Sequence, residues 1–170
     1  LSQDPVPSVA GWTAGGNLSE ARFSLAGAGT QTAGLAFGGR VPPGNTHPGA
    51  TEEYGGATWT SGGTMGTARA TLAGAGTQTA GLAFGGFGPG ISNATEEYGG
   101  TSWTAGGALG TARAETAGTG TQTAGLCFGG EASPGVTTAT EEYDGSSWTS
   151  GGALPAARAA LGGAGIQTAA

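Results

Sequence analysis

The sequence predicts an all-β chain built from blades of four antiparallel strands, and three observations carry that expectation. Trp12, Trp59, Trp103 and Trp148 recur along the chain, and each is followed ten residues later by an arginine: Arg22, Arg69, Arg113 and Arg158. Between them an apolar hexamer ends in Gly-Gly, as GLAFGG at 34–39 and 81–86 and GLCFGG at 125–130, followed by ATEEY at 50–54, 94–98 and 139–143. Glycine recurs every few residues, each costing about 1 kcal/mol relative to alanine in a helix, and no apolar stripe has helical spacing.

Each period then divides into four strands. In the second copy the first is rich in Gly and Ala and spans Ala70 to Thr77; the second, Thr79 to Phe84, runs into Gly-Gly. The third is ATEEY, Ala94 to Tyr98, and the fourth surrounds Trp103, from Ser102 to Ala105. Gly99-Gly100 and Asp144-Gly145, between third and fourth strands, are hairpin turn signals. Four short strands in roughly 45 residues is the arithmetic of a β-propeller blade. Small residues suit the innermost strand, which crowds the axis, while Phe, Tyr, Trp and Leu pack blade against blade.

The Trp-to-Trp spacings are 47, 44 and 45, and the segments between Gly-Gly and ATEEY are 10, 7 and 8 residues long, so 37 residues are constant in every period. All length variation therefore sits in three loops, Arg40 to Gly49, Phe87 to Asn93 and Glu131 to Thr138, which hold five of the prolines. A fixed framework with variable exposed connections places contact with other molecules on those loops. Candidate binding residues there are Arg40, Asn45, His47, Phe87, Asn93 and Glu131.

The order Arg, apolar strand, Gly-Gly, variable loop, Glu-Glu-Tyr, short turn and Trp resembles the Kelch repeat. The third copy carries it as Arg113, Gly129-Gly130, Glu141-Glu142-Tyr143, Asp144-Gly145 and Trp148. The wording TEEY-x-G-x-x-W-T-x-G-G is also similar to Kelch-like proteins of marine and aquatic bacteriophages, often described by analogy to galactose oxidase. The resemblance implies a β-propeller in which Gly-Gly, Tyr54, Tyr98, Tyr143 and the four tryptophans are structural marks. It covers Trp12 to Ala169, and the chain is expected to form a single domain, 1–170: repeats 22–68, 69–112 and 113–157, flanked by partial repeats 1–21 and 158–170. The chain begins in a fourth strand near Trp12 and ends after a first strand, Ala159 to Gln167. These ends are parts of one incomplete blade. Either they join in a four-bladed ring with unpaired edges, or another chain or a longer polypeptide supplies the missing strands. The absence of an initiator Met fits a processed chain or a fragment.

Composition bounds the function. Gly (39) and, by count, Ala (32) fill over two fifths of the 170 residues, while Leu, Ile, Val and Phe number 21, so each unit buries little alone and depends on neighbours. With five Arg, no Lys and a net charge of −6, no basic surface exists to neutralise nucleic-acid phosphates or anchor to anionic lipid. No apolar run approaches the roughly 20 residues of a transmembrane helix. No cofactor or metal site is expected. A copper radical site of the galactose-oxidase type needs two His, two Tyr and a Cys joined to one Tyr, and this chain has one His and one Cys. Cys127 stands where the other copies have Ala36 and Ala83, which suits a small buried thiol.

The paired acids Glu52-Glu53, Glu96-Glu97 and Glu141-Glu142 point to opposite faces of a strand. The preferred expectation is one inward carboxylate paired with a repeated arginine and the other facing solvent; a carboxylate ring holding a cation is the alternative. Threefold repetition argues against catalysis, which needs two acids in unlike environments. Gln31, Gln78, Gln122 and Gln167 also recur. They are expected to bond between blades, with an axial channel lining as the alternative. Asn17-Leu18-Ser19 and Asn93-Ala94-Thr95 are sequons, for a host that glycosylates. The leading expectation is a non-enzymatic structural or adhesive module of an extracellular fibre or virion appendage, whose partner is itself. The rival is a propeller that binds glycans.

Overall fold

The computed structural model describes residues 14–44 and 46–167, and every regular element among them is a strand. The first sheet is a meander of β1 (Ala26–Thr30), β2 (Ala33–Phe37), β3 (Thr51–Tyr54) and β4 (Trp59–Ser61). The second repeats it with β5 (Ala73–Gly76), β6 (Gly81–Phe84), β7 (Thr95–Tyr98) and β8 (Trp103–Ala105). The third uses β9 (Ala117–Thr121) and β10 (Ala124–Phe128), then interposes a small hairpin, β11 (Glu131–Ala132) and β12 (Gly135–Val136), before β13 (Thr140–Tyr143) and β14 (Trp148–Ser150). All pairings are antiparallel, and their register repeats: Tyr54 faces Trp59, Tyr98 faces Trp103 and Tyr143 faces Trp148. Gly56, Gly100 and Gly145, at φ +88°, +83° and +92°, make the turns between those partners. The fold is thus all-β, three blades of four antiparallel strands. Among the described residues no strand of the third sheet pairs with the first, so the array is not a closed barrel, which is compatible with an incomplete propeller.

First strands β1, β5 and β9 lie beside one another in that order, and the Gly–Ala pattern is what lets them approach. A Cβ at Gly74 would stand 2.7 Å from the Gly27 carbonyl oxygen, and one at Gly118 would stand 2.4 Å from the Phe84 ring. Larger residues fill the wider space between sheets. Leu35, Phe37, Met65 and Leu72 pack with Ala83 and Tyr98 across the first junction; Leu82, Phe84 and Leu109 pack with Cys127 and Tyr143 across the second.

Two strand expectations need correction. The first strand of the second repeat starts at Ala73, not Ala70, because Thr71 takes a left-handed conformation (φ +51°) that interrupts the extended run. Ser24, Glu115 and Ala160 do the same at the equivalent positions, with φ +54°, +52° and +55°. Such a backbone is strained for side-chain-bearing residues, and a ladder holds it. The Thr71 amide donates to Ser24 O, Glu115 to Thr71 O and Ala160 to Glu115 O, at 2.8–2.9 Å. The second correction concerns 159–167, which forms no strand among the described residues. After the Ala160 amide's bond to Glu115 O it follows β9 only through the Thr119 hydroxyl, which donates to Gly165 O, and through packing, because no second strand is present among those residues to pair with it. The fourth strand expected near Trp12 lies outside the described residues.

Candidate functional site

Each of the three complete repeats builds a clamp from its arginine and the first glutamate of TEEY. Arg69 is fully buried, and its Nη1 donates to Gly85 O and Ala94 O at 2.5 and 2.7 Å while Nη2 meets Glu96 Oε1 at 2.9 Å. Arg22 does the same with Gly38 O, Ala50 O and Glu52, and Arg113 with Gly129 O, Ala139 O and Glu141. The second carboxylate oxygen accepts a backbone N–H from the connection preceding the arginine: Ser19, Gly66 or Gly110. At Glu52 burial works to raise the carboxyl pKa, but the Ser19 amide and Arg22 outweigh it and hold it below the ordinary value. At Arg69 burial outweighs Glu96 and lowers the guanidinium pKa. The clamp therefore ties both feet of each variable loop to one buried charge pair. The expected inward ion pair forms at Arg22, Arg69 and Arg113; Arg158 is exposed and has no acidic partner among the described residues.

In the third repeat the second glutamate, Glu142, is exposed as expected, but in the first two it reaches the next repeat. Glu53 accepts the Tyr98 hydroxyl and Glu97 the Tyr143 hydroxyl, both at 2.5 Å. Burial and then the neighbouring carboxylate push both phenols up, Tyr143 to about 12. Trp103 gives its indole N–H to Thr51 Oγ1 and Trp148 gives its own to Thr95 Oγ1, both at 2.9 Å. The same rings lie 5.0 Å from Phe37 and 4.9 Å from Phe84. Gln78, Gln122 and Gln167 complete the junction by donating to two backbone carbonyls of the preceding repeat, Gln78 to Gly34 and Tyr54. Sequence reasoning named the Tyr, Trp and Gln of this set but not Thr51 and Thr95, whose presence in every ATEEY was the available signal.

The variable loops gather at one end. Arg40, Phe87 and Glu131, three of the expected binding residues, line one cleft of about 230 Å³ with Ile91, Thr71, Ala114 and Glu115. The Arg40 guanidinium carbon lies 5.9 Å from the Phe87 ring centre, a cation–π contact, and His47 approaches the same ring at 6.3 Å. Arg40 Nε and His47 Nε2 are buried with no hydrogen-bond partner among the described residues. The three convergences share one cause: Phe23, Ala70 and Ala114 bridge to Arg40, Phe87 and Glu131, so each loop starts at the same height. Thr71 and Glu115 also line an adjoining cavity of about 340 Å³, built from the equivalent pairs Ser24-Leu25, Thr71-Leu72, Glu115-Thr116 and Ala160-Leu161. Asn93 is not in the cleft; its side chain donates to Leu109 O at 3.3 Å. Asn45 and Trp12 lie outside the described residues. The sequon asparagines Asn17 and Asn93 are both exposed.

Cys127 is fully buried, and burial raises its thiol to about 11 against the opposing pull of Arg113. It stays a neutral thiol near Thr116 Oγ1. The chain matches no protein-family model and no curated protein.

Proposed function

We propose that this chain is a non-enzymatic structural or adhesive module of Kelch-like blades, suited to an extracellular fibre or a phage virion appendage, which associates with itself through its outer blades. One observation carries the reading: the contacts that join repeats are left half-made on the two outer sheets. Phe84 is fully buried beneath Trp148, whereas its counterpart Phe128 and its neighbour Leu126 are half-buried. Repeat arrays bury their cores only by stacking, so an uncovered unit gains by adding a neighbour. Every acid of the TEEY motifs that is buried serves a structural ion pair with an arginine of its own repeat. Negative-stain electron microscopy and sedimentation over a range of concentrations test the proposal. Rings or filaments are expected; discrete monomers at every concentration would refute it.

A second reading, a glycan-binding propeller, has its own support in the loop cleft. An aromatic face beside an arginine and two carboxylates, all near solvent, offers stacking and hydrogen bonding to a sugar ring. A glycan array with binding lost in Phe87→Ala favours it, and an array without hits removes it.

A further inference from the structure

Each internal junction is built in the same way, seen twice: Tyr hydroxyl to Glu, Trp indole to Thr, Trp ring on Phe and Gln to two carbonyls. The outer sheets hold one half each. On the third sheet the Glu142 carboxylate is exposed and Thr140 half-buried, whereas Thr51 and Thr95 are 2% exposed. Neither Glu142 nor Thr140 has a side-chain hydrogen bond among the described residues. On the first sheet Tyr54 is half-buried with no partner for its hydroxyl among those residues, although Tyr98 and Tyr143 are fully buried. Trp59 gives its indole N–H to Gly16 O, and Gln31 is exposed.

We infer that the third sheet of one copy is a docking site for the first sheet of a second copy. The Tyr54 hydroxyl donates to Glu142, and the Trp59 indole to Thr140 with its ring on Phe128. The inference rests on the self-association reading and supplies its address. The chain itself argues for this occupant, since both internal junctions seat a repeat of the same type on the equivalent surface of the first or second sheet. Residues 12–33 and 148–169 are moreover two versions of one stretch, identical at 14 of 22 positions. In a single copy, 158–167 lies where 22–31 of the incoming copy belongs. It makes no strand pairing among the described residues and is held by separate hydrogen bonds: Gln167 to Gly125 O and Tyr143 O, Thr119 to Gly165 O, Ala160 N to Glu115 O and Gly130 N to Arg158 O. Joining exchanges this tail for its counterpart, whose glutamine and small residues offer the third sheet the same hydrogen bonds and packing. One copy gives and the other receives, so the contact is heterologous and extends to a ring or filament.

The experiment uses two full-length variants, Tyr54→Phe and Glu142→Gln, each keeping its side chain's shape. Hydrogen bonds to a charged partner of this kind justify a loss of association of about tenfold or more in each variant alone. Mixed together, the two are expected to form 1:1 pairs that go no further, because Tyr54→Phe keeps the acceptor and Glu142→Gln keeps the donor. Sedimentation velocity reads all three samples, and circular dichroism checks folding. If one variant fails to fold, Thr140→Val takes the place of Glu142→Gln and Trp59→Phe that of Tyr54→Phe. Wild-type assembly that both variants reproduce, or a mixture that stays monomeric, overturns this docking site and leaves self-association standing. A wild-type chain monomeric at all concentrations overturns both.

Discussion

Each repeat depends on the two residues of its arginine–glutamate clamp. A buried ion pair gains little over a well-packed apolar pair, but removing one partner strands the other charge, at about 3–5 kcal/mol. Glu96→Ala leaves the fully buried Arg69 guanidinium without its carboxylate and uncaps the Gly66 amide. A loss of about that size is expected in chemical denaturation. The junction tyrosines predict the response to alkali. The Tyr143 hydroxyl titrates at about 12 in the folded chain instead of 10, so its protonated form is favoured by folding. That stabilisation is complete below about pH 10 and is lost as pH rises towards 12; Cys127, raised from 9 to about 11, adds loss in the same direction from pH 9 upward. Thermal midpoints measured from pH 8 to 12 should fall steadily across that window, with a later onset in Cys127→Ala. Much of this was legible beforehand: Arg and Glu recurred together, and inward pairing followed from strand alternation. The second glutamate's target was not, because its partner tyrosine lies one repeat away, 45 residues on.

At the scale of the element, the Gly-Gly pair explains why strand two ends where it does. Gly85 and Gly86 take φ +66° and +99°, and the Gly86 amide donates to Arg113 O of the next repeat at 2.7 Å. A Cβ at Gly85 would sit 2.6 Å from that same carbonyl oxygen. Gly85→Ala therefore combines about 1–2 kcal/mol of left-handed strain with a backbone clash. It is expected to lower the thermal midpoint more than Gly90→Ala, whose added Cβ meets nothing within 4 Å. The four strands per repeat were readable because turn glycines and aromatics bracket them. The left-handed residues were not, since Ser24, Thr71, Glu115 and Ala160 share no side-chain type; only their position after arginine marks them, and their conformation comes from the ladder linking the repeats.

For the whole molecule, charge and packing act in opposite senses on association. Copies with a net charge of −6 repel one another, whereas the surfaces proposed to join carry Phe128 and Leu126 on one side and Tyr54 and Trp59 on the other. Added salt shortens the range of the repulsion, to about 8 Å at 0.15 M, and leaves apolar burial intact. Assembly should therefore strengthen as ionic strength rises, a trend that light scattering at fixed protein concentration measures; weakening would mean that opposite charges hold the copies together. The fold class was legible from the repeat alone. The gathering of Arg40, Phe87 and Glu131 in one cleft was legible only in part, since spacing placed them at loop starts but not at a common height.

The clamp beneath each loop grips backbone alone: Arg69 bonds the carbonyls of Gly85 and Ala94, and no side chain of the seven residues between Gly86 and Ala94 takes part in it. Loop sequence is in that respect invisible to the frame. A gene made of such units can shuffle, duplicate or borrow the stretch between Gly-Gly and ATEEY by recombination at its near-identical borders, and each product inherits a frame already fitted to hold it. Surface novelty and structural integrity are then under separate selection, a condition that favours rapid change wherever the opposing surface also changes.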